Sequence, residues 1–141
     1  MAVDVLSILL LGSPSITWRD IPFQIARRQA RALLYRLAVS IEPVSRQQLC
    51  FLFWPDLPEA RARRNLNRLL SYLHQSLPHR ELLNLSDETT QLNPHLTRSD
   101  TDEFQKFLQN EQATGMQRAI DLYRGSFLQG FYLPHSPEYD F

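Results

Sequence analysis

The most informative stretch of this sequence is EARARRNLNRLLSYLHQSL, residues 59–77. Laid out at the period of an α-helix, it has two faces of opposite character. The apolar face consists of Ala62, Leu66, Leu69, Leu70, Leu73 and Leu77. The opposite face consists of Arg61, Arg64, Asn65, Arg68 and Tyr72, with Arg63 and Asn67 at its flank. The pattern predicts a third helix, over about residues 57–77, that buries the leucines and presents the arginines.

This basic face has the side chains that read base edges in the major groove of DNA. Arginine can form bidentate hydrogen bonds with guanine, and asparagine can do so with adenine. Acids are nearly absent from the same stretch, so the arginines have few partners within the helix. A solvated basic face that binds nothing is the alternative interpretation, and the elements on either side of the helix weigh against it.

Two helices and a hairpin surround this segment. Apolar residues recur at helical spacing from Ala26 to near Ile41, and VSRQQL begins a second helix with Ser45 as its N-cap residue. That helix ends at Trp54, before Pro55, and Asp56 is a candidate cap for the third helix. The runs ELLNL and TTQLN flank the turn SDE and predict a hairpin.

The two ends of the chain differ in their predicted secondary structure. Three short β-prone runs, VLSILLLG, SITW and PFQI, predict a small N-terminal antiparallel sheet. Helical spacing returns at Thr101, in DEFQKFL, and again after Gly115, in MQRAIDLY. The predicted fold class is mainly α with small β-sheets (α+β). Its core is a winged helix-turn-helix, in which the hairpin is the wing and further helices follow.

Charge is divided between the halves of this 141-residue chain. Residues 1–80 contain 11 arginines and five acids, whereas residues 81–141 contain four basic residues and ten acids. Such asymmetry suggests an anion-binding module joined to a second unit, and the acidic half could fold over the basic helix as an autoinhibitory contact.

Composition also limits the cellular location that is expected for this chain. The single cysteine, Cys50, cannot form an internal disulfide, so a reducing cytoplasm is the expected location. The longest apolar run, from Val5 to Leu11, is too short to span a membrane.

Two parts of the sequence resemble domains of a known family of bacterial regulators. Residues 5–96 resemble the OmpR/PhoB-type winged helix at the front of SARP-type bacterial regulators. The segments that carry this resemblance are LLLG, PF, ARRQARALLYRLAVS, VSRQQLCFLFWPD and PEARARRNLNRLLSYLHQSL. SDTDEFQKFL and AIDLYRGSFLQGFYLPHSPEYDF resemble the opening of the bacterial transcriptional activator domain, a TPR-like helical module. The resemblance implies a winged helix-turn-helix DNA-binding domain over 1–96 and the truncated start of that module over 97–141.

The resemblance also implies functional residues. In the family the third helix reads the major groove of direct-repeat promoter sites, on which the regulator can form a homodimer, and the loop before it is associated with RNA polymerase. The implied base-reading residues are Arg61, Arg64, Asn65, Arg68 and Tyr72. The implied polymerase contacts are Asp56, Leu57 and Pro58.

Phosphate contacts are predicted on the elements around the third helix. Arg46 and Gln47 lie at the start of the second helix, where unsatisfied amides favour an anion. The complete set of predicted phosphate contacts is Arg28, Arg31, Arg46, Gln47, Arg63 and Thr89. In the family the hairpin reaches the minor groove, but here its tip carries Asp87 and Glu88, which phosphates repel.

The predicted function is therefore that of a sequence-specific DNA-binding transcriptional regulator, an activator. The alternative is a protein-interaction module whose basic helix binds an acidic partner. No enzymatic activity, cofactor or metal is expected, because the four histidines lack metal-ligand spacing and no glycine-rich phosphate loop is present. Cys50, Phe51 and Trp54 are expected in the core, and Asp100, Asp102 and Glu103 are expected to act at a helix start.

Overall fold

The computed structural model describes residues 4–109 together with Leu128 and Phe131. Along the chain the elements are β1 (Leu6–Leu9), β2 (Ser15–Trp18), β3 (Ile21–Pro22), α1 (Arg28–Val39), β4 (Val44–Ser45), α2 (Arg46–Phe53), α3 (Glu59–Ser76), a short 3-10 helix (Arg80–Leu82), β5 (Leu83–Leu85), β6 (Thr89–Leu92), β7 (Thr97–Ser99) and α4 (Asp100–Gln109). The fold is α+β, and its central order of helix, turn, helix and hairpin is that of a winged helix-turn-helix, as predicted.

Two small sheets flank the helices. The first has the strand order β3-β2-β1-β7, in which β1, β2 and β3 pair antiparallel as predicted. The third strand is shorter than the predicted run PFQI and lies earlier, at Ile21–Pro22, because only these two residues pair with β2. The fourth strand, β7, was not predicted and pairs parallel with β1, so that Leu6 is opposite Thr97. The second sheet has the order β4-β6-β5, in which β5 and β6 are the predicted hairpin and β4 is an additional short strand. The hairpin is hereafter called the wing.

The helix starts follow from local hydrogen bonding. Ser45 is the N-cap of α2, as predicted, and its Oγ accepts hydrogen bonds from the backbone N–H groups of Gln47 at 3.1 Å and Gln48 at 3.3 Å. The prediction for α3 is wrong at its first turn: the helix begins at Glu59 with Pro58 as N-cap, and Asp56 does not cap it. The reason is that the Pro58 carbonyl accepts the first helical hydrogen bonds, leaving Asp56 two residues upstream of the cap.

The core lies between α1, α2, α3 and the first sheet. The six apolar residues predicted for α3 are all buried, which confirms the orientation of this helix. Tyr35, in α1, is also buried. Its ring packs edge to face on Phe131 with centroids 5.0 Å apart. Burial raises the pKa of Tyr35 above its usual range, so this phenol is neutral.

The prediction that Phe51 lies in the core is wrong. Its side chain is 65% exposed, whereas Phe53 is buried and Trp54 is partly buried. The face of α2 that meets the core carries Leu49, Cys50 and Phe53, and Phe51 lies off that face.

Two buried carboxylates attach α4 to the rest of the molecule. Asp100 accepts hydrogen bonds from the backbone N–H groups of Leu10 at 2.7 Å and Leu11 at 2.9 Å. Asp102 accepts one from the N–H of Ile41, just after α1, at 2.9 Å. These acids therefore bond to distant segments as well as lying in the first turn of α4. α4 contacts α1, β1 and β7. The autoinhibitory contact of the acidic half with α3 stays a prediction, because most of that half lies outside the described residues.

The division into units at 1–96 and 97–141 stays a prediction, because most of the second unit lies outside the described residues. The helix predicted after Gly115 lies outside them as well.

Candidate nucleic-acid interface

The outward face of α3 is a row of exposed arginines. Burial of Leu66, Leu69 and Leu73 fixes this orientation, since these side chains lie on the opposite side of the helix. Arg61, Arg64 and Arg68 are exposed, and none of their side chains forms an ion pair or hydrogen bond with any described residue. Three of the five predicted base-reading residues are therefore free to bind a ligand.

The other two predicted base-reading residues lie on the flank of α3 that faces α1. Asn65 and Tyr72 are partly buried and fall in a row with Arg61 and Arg68 at steps of one helical turn. Tyr72 also packs against the core. The guanidinium carbon of Arg27, the residue before α1, lies 5.5 Å from the centroid of the Tyr72 ring. This contact between helices was not predicted, because it joins residues that are distant in sequence.

The flank of α3 that faces the wing borders a cleft. Arg63, at this flank, forms an ion pair with Glu59 one turn earlier. The cleft has a volume of about 820 Å³ and is lined by Ser45, Arg46, Gln47, Cys50, Glu59, Arg63, Leu66, Asn67, Asp87 and Glu88. The two acids of the wing tip thus share a cleft with arginines of α2 and α3.

Arg46 joins three elements at this cleft. Its Nε donates to the Ser86 carbonyl at 2.8 Å, and its Nη1 donates to Oδ1 of Asn67 on α3 at 2.8 Å. Its backbone N–H donates to the Glu88 carbonyl at 2.9 Å. Arg46 was predicted as a phosphate contact on the basis of its helix start alone. The structure adds that its side chain ties the wing tip to α3.

This bonding leads to a prediction for the protein without DNA. Arg46→Ala is expected to lower the free energy of unfolding by about 1 kcal/mol, because two exposed but charge-assisted hydrogen bonds are lost. Urea denaturation measures the change. Arg61→Ala is the matched control, since Arg61 is exposed and unbonded among the described residues and its removal should change stability by less than about 0.5 kcal/mol. Equal stability of the two variants would show that Arg46 does not hold the wing.

The remaining predicted phosphate contacts differ in accessibility. Gln47 is exposed at the start of α2. Thr89 is partly buried, and its Oγ1 lies 2.9 Å from Oγ of Ser86 across the wing tip. Arg28 is exposed, with its guanidinium carbon 5.8 Å from the centroid of the Phe131 ring. Arg31 is partly buried, and its Nε is shielded from solvent without a hydrogen-bond partner among the described residues.

The predicted polymerase contact lies in the turn between α2 and α3. Asp56 and Pro58 are exposed, and Leu57 is partly buried against the core. The N–H of Leu57 donates to the Trp54 carbonyl at 3.3 Å. Leu57 therefore anchors the turn and presents its two neighbours to the solvent.

The described residues contain neither a metal-binding cluster nor a membrane-spanning helix. Across residues 4–109, Leu128 and Phe131, no group of three or more His, Cys, Asp or Glu side chains could hold a metal ion. No helix in that part of the chain is long and apolar enough to cross a bilayer. Burial raises the pKa of the Cys50 thiol, although Arg63 and Arg46 act in the opposite sense, so this group is neutral at the back of the cleft.

Comparison with known proteins establishes the fold. By sequence, the chain matches no protein family and no curated protein. Among solved structures it is similar to EmbR of Mycobacterium tuberculosis, determined in complex with a low-affinity phosphopeptide, with a TM-score of 0.62 and 21% identity. The match covers 87% of this chain and 37% of the EmbR chain, so this chain spans well under half the length of that protein. The chain therefore has the α+β winged-helix fold found in the matched part of EmbR.

Proposed function

We propose that this chain is the DNA-binding part of a sequence-specific transcriptional regulator, in which α3 enters the major groove. The observation that carries the proposal is the exposed, unpaired row of Arg61, Arg64 and Arg68 on a helix whose other face is fully buried. Asn65 and Tyr72 border this row and complete the set of base-reading side chains. The function is one of binding rather than catalysis.

The finer parts of the proposal concern partners. The regulator is an activator that works in the cytoplasm, and the exposed Asp56 and Pro58 contact RNA polymerase. Two copies bind neighbouring direct repeats as a homodimer on DNA. Phosphates on either side of the groove are bound by Gln47, Arg63 and the remaining predicted contacts. The likeness to EmbR supports a regulatory role through the shared fold.

A titration of labelled duplex DNA by this chain, followed by fluorescence anisotropy at several salt concentrations, tests the proposal. Promoter fragments from the region upstream of its own gene supply the sequences. We expect tight binding to one fragment, with an affinity that falls steeply as salt rises, because Lys and Arg contacts release counterions from DNA. Weak binding of equal strength to every fragment would contradict sequence-specific recognition.

A second candidate function is supported by the ligand of EmbR. That protein was solved with a phosphopeptide, and a phosphorylated peptide presents the same anionic oxygens to arginine as DNA does. In this alternative, the basic face of α3 binds an acidic protein partner. Competition in the same titration separates the two functions. A phosphopeptide that displaces DNA at lower concentration than unlabelled promoter duplex favours the protein partner.

A further inference from the structure

A second helix contributes a cation to the surface of α3. Arg27 is the N-cap residue of α1, is exposed, and has no side-chain hydrogen bond to its own helix. Its guanidinium carbon lies 5.5 Å from the centroid of the Tyr72 ring. A guanidinium at this distance from a tyrosine ring is attracted by the negative face of the π-system. The Arg27 side chain is therefore held on α3 rather than extended along α1.

This contact places Arg27 close to the arginine row. Tyr72 follows Arg68 by one helical turn, so the Arg27 guanidinium lies on the side of α3 that Arg68 occupies. The ion pairs among the described residues are Arg19–Asp4, Arg63–Glu59, Arg98–Glu103 and Lys106–Asp102. Neither Arg27 nor Arg68 belongs to them. Two cations from different helices thus lie on one side of α3, and neither is neutralised by an ion pair among the described residues.

The other two arginines at the start of α1 have different surroundings. Arg28 lies over the Phe131 ring, and the Nε of Arg31 is shielded from solvent. From the sequence all three are candidates for phosphate binding, and Arg28 and Arg31 belong to the predicted set of phosphate contacts. Of these three arginines, Arg27 is the one whose side chain is seen on α3.

We propose that Arg27, positioned by the Tyr72 ring, binds a backbone phosphate of the DNA strand that borders the groove entered by α3. This inference rests on the proposed function and adds a contact from α1 to it. A guanidinium held over a ring in this way keeps N–H groups for phosphate oxygens, which accept bidentate hydrogen bonds from arginine. In this arrangement Tyr72 acts by positioning Arg27.

Arg27→Ala in the full chain tests the contact. At about 0.1 M salt we expect binding to the promoter duplex to weaken about tenfold. The slope of log affinity against log salt should fall by about 0.9, the change for one lost phosphate contact. Every duplex sequence should be affected equally, since a phosphate carries no sequence information.

Arg19→Ala is the matched control. Arg19 also lies over an aromatic ring, with its guanidinium carbon 5.4 Å from the centroid of Trp18, but it follows β2 and pairs with Asp4. This variant loses the same charge and the same type of ring contact away from α3. We expect its affinity and salt slope to match those of the unmodified chain. If Arg27→Ala behaves like Arg19→Ala, the proposed contact does not exist.

A double-mutant cycle tests the role of the ring. The loss caused by Arg27→Ala should stay about tenfold with Tyr72→Phe, which keeps the ring, and shrink to about twofold with Tyr72→Leu, which removes it. A full tenfold loss with Tyr72→Leu would overturn positioning by Tyr72. Thermal unfolding of each variant shows that the fold is retained. If the unmodified chain binds no duplex in a salt-dependent way, the proposed function fails as well, and this result differs from the loss of the Arg27 effect alone.

Discussion

Arg64→Ala combined with Arg68→Ala is expected to weaken binding to the promoter duplex by about two to three orders of magnitude. Each bidentate contact between arginine and a base contributes about 1–3 kcal/mol of discrimination, and this variant removes two. Both side chains are exposed and make no ion pair with the described residues, so their loss should leave the folded protein intact. Anisotropy titration against the promoter duplex and a scrambled duplex measures the affinity and the specificity.

Lysine substitutions separate charge from shape at the same positions. Arg64→Lys with Arg68→Lys keeps both charges but loses the planar fork that pairs with guanine. We expect this variant to retain binding to the scrambled duplex and to lose its preference for the promoter. Arg19→Ala with Arg98→Ala is the charge-matched control for the double alanine variant, because it removes two arginines that are paired with acids away from α3. Unchanged promoter preference in the lysine variant would show that α3 does not read bases.

Asp100→Ala is expected to lower the free energy of unfolding by about 3 kcal/mol. The Asp100 carboxylate is 3% exposed and accepts backbone hydrogen bonds from Leu10, Leu11 and Thr101. Alanine leaves those buried N–H groups without an acceptor, at a cost of about 1–3 kcal/mol for each unsatisfied group. The midpoint of urea denaturation measures the change, provided that the slope of the transition stays the same.

Two further variants bracket this result. Asp100→Asn keeps one carbonyl oxygen in the same place, so we expect a smaller loss than with alanine. Glu42→Ala removes an exposed acid just beyond α1, and its effect should stay within about 0.5 kcal/mol. If Asp100→Ala has no larger effect than Glu42→Ala, the carboxylate does not hold α4 in place.

The helices could be predicted because their signals are local. The apolar stripe of α3 and the Ser45 cap of α2 depend on residues within a few positions of each other, and both are confirmed. The strands β4 and β7 have two and three residues, too few to show an alternating pattern, and each exists only because a distant strand pairs with it. Phe51 was misassigned because its neighbours are apolar on both sides of the helix.

The candidate site also has features that the sequence could predict and contacts that it could not. The exposure of Arg61, Arg64 and Arg68 follows from the burial of the leucines between them, and sequence periodicity is sufficient to predict it. The bonds of Arg46 to the wing and the stacking of Arg27 on Tyr72 join residues that only the tertiary fold brings together. A sequence shows which residues are charged, but it does not show which of those charges are already occupied by the protein itself.

The parallel pairing of β1 with β7 has a consequence for how the chain folds during synthesis. The hydrogen bond from the backbone N–H of Leu10 to Asp100 spans 90 positions. The parallel pairing of β1 with β7 joins the same two parts of the chain. Contacts of such long sequence separation require a large loop to close and therefore form slowly. On a ribosome, β1 can pair with β2 soon after both are made, but its pairing with β7 has to wait until α3 and the wing have been synthesised. We expect the first sheet to be completed only then, so the edge of β1 that β7 covers stays open while α1, α2, α3 and the wing are being made.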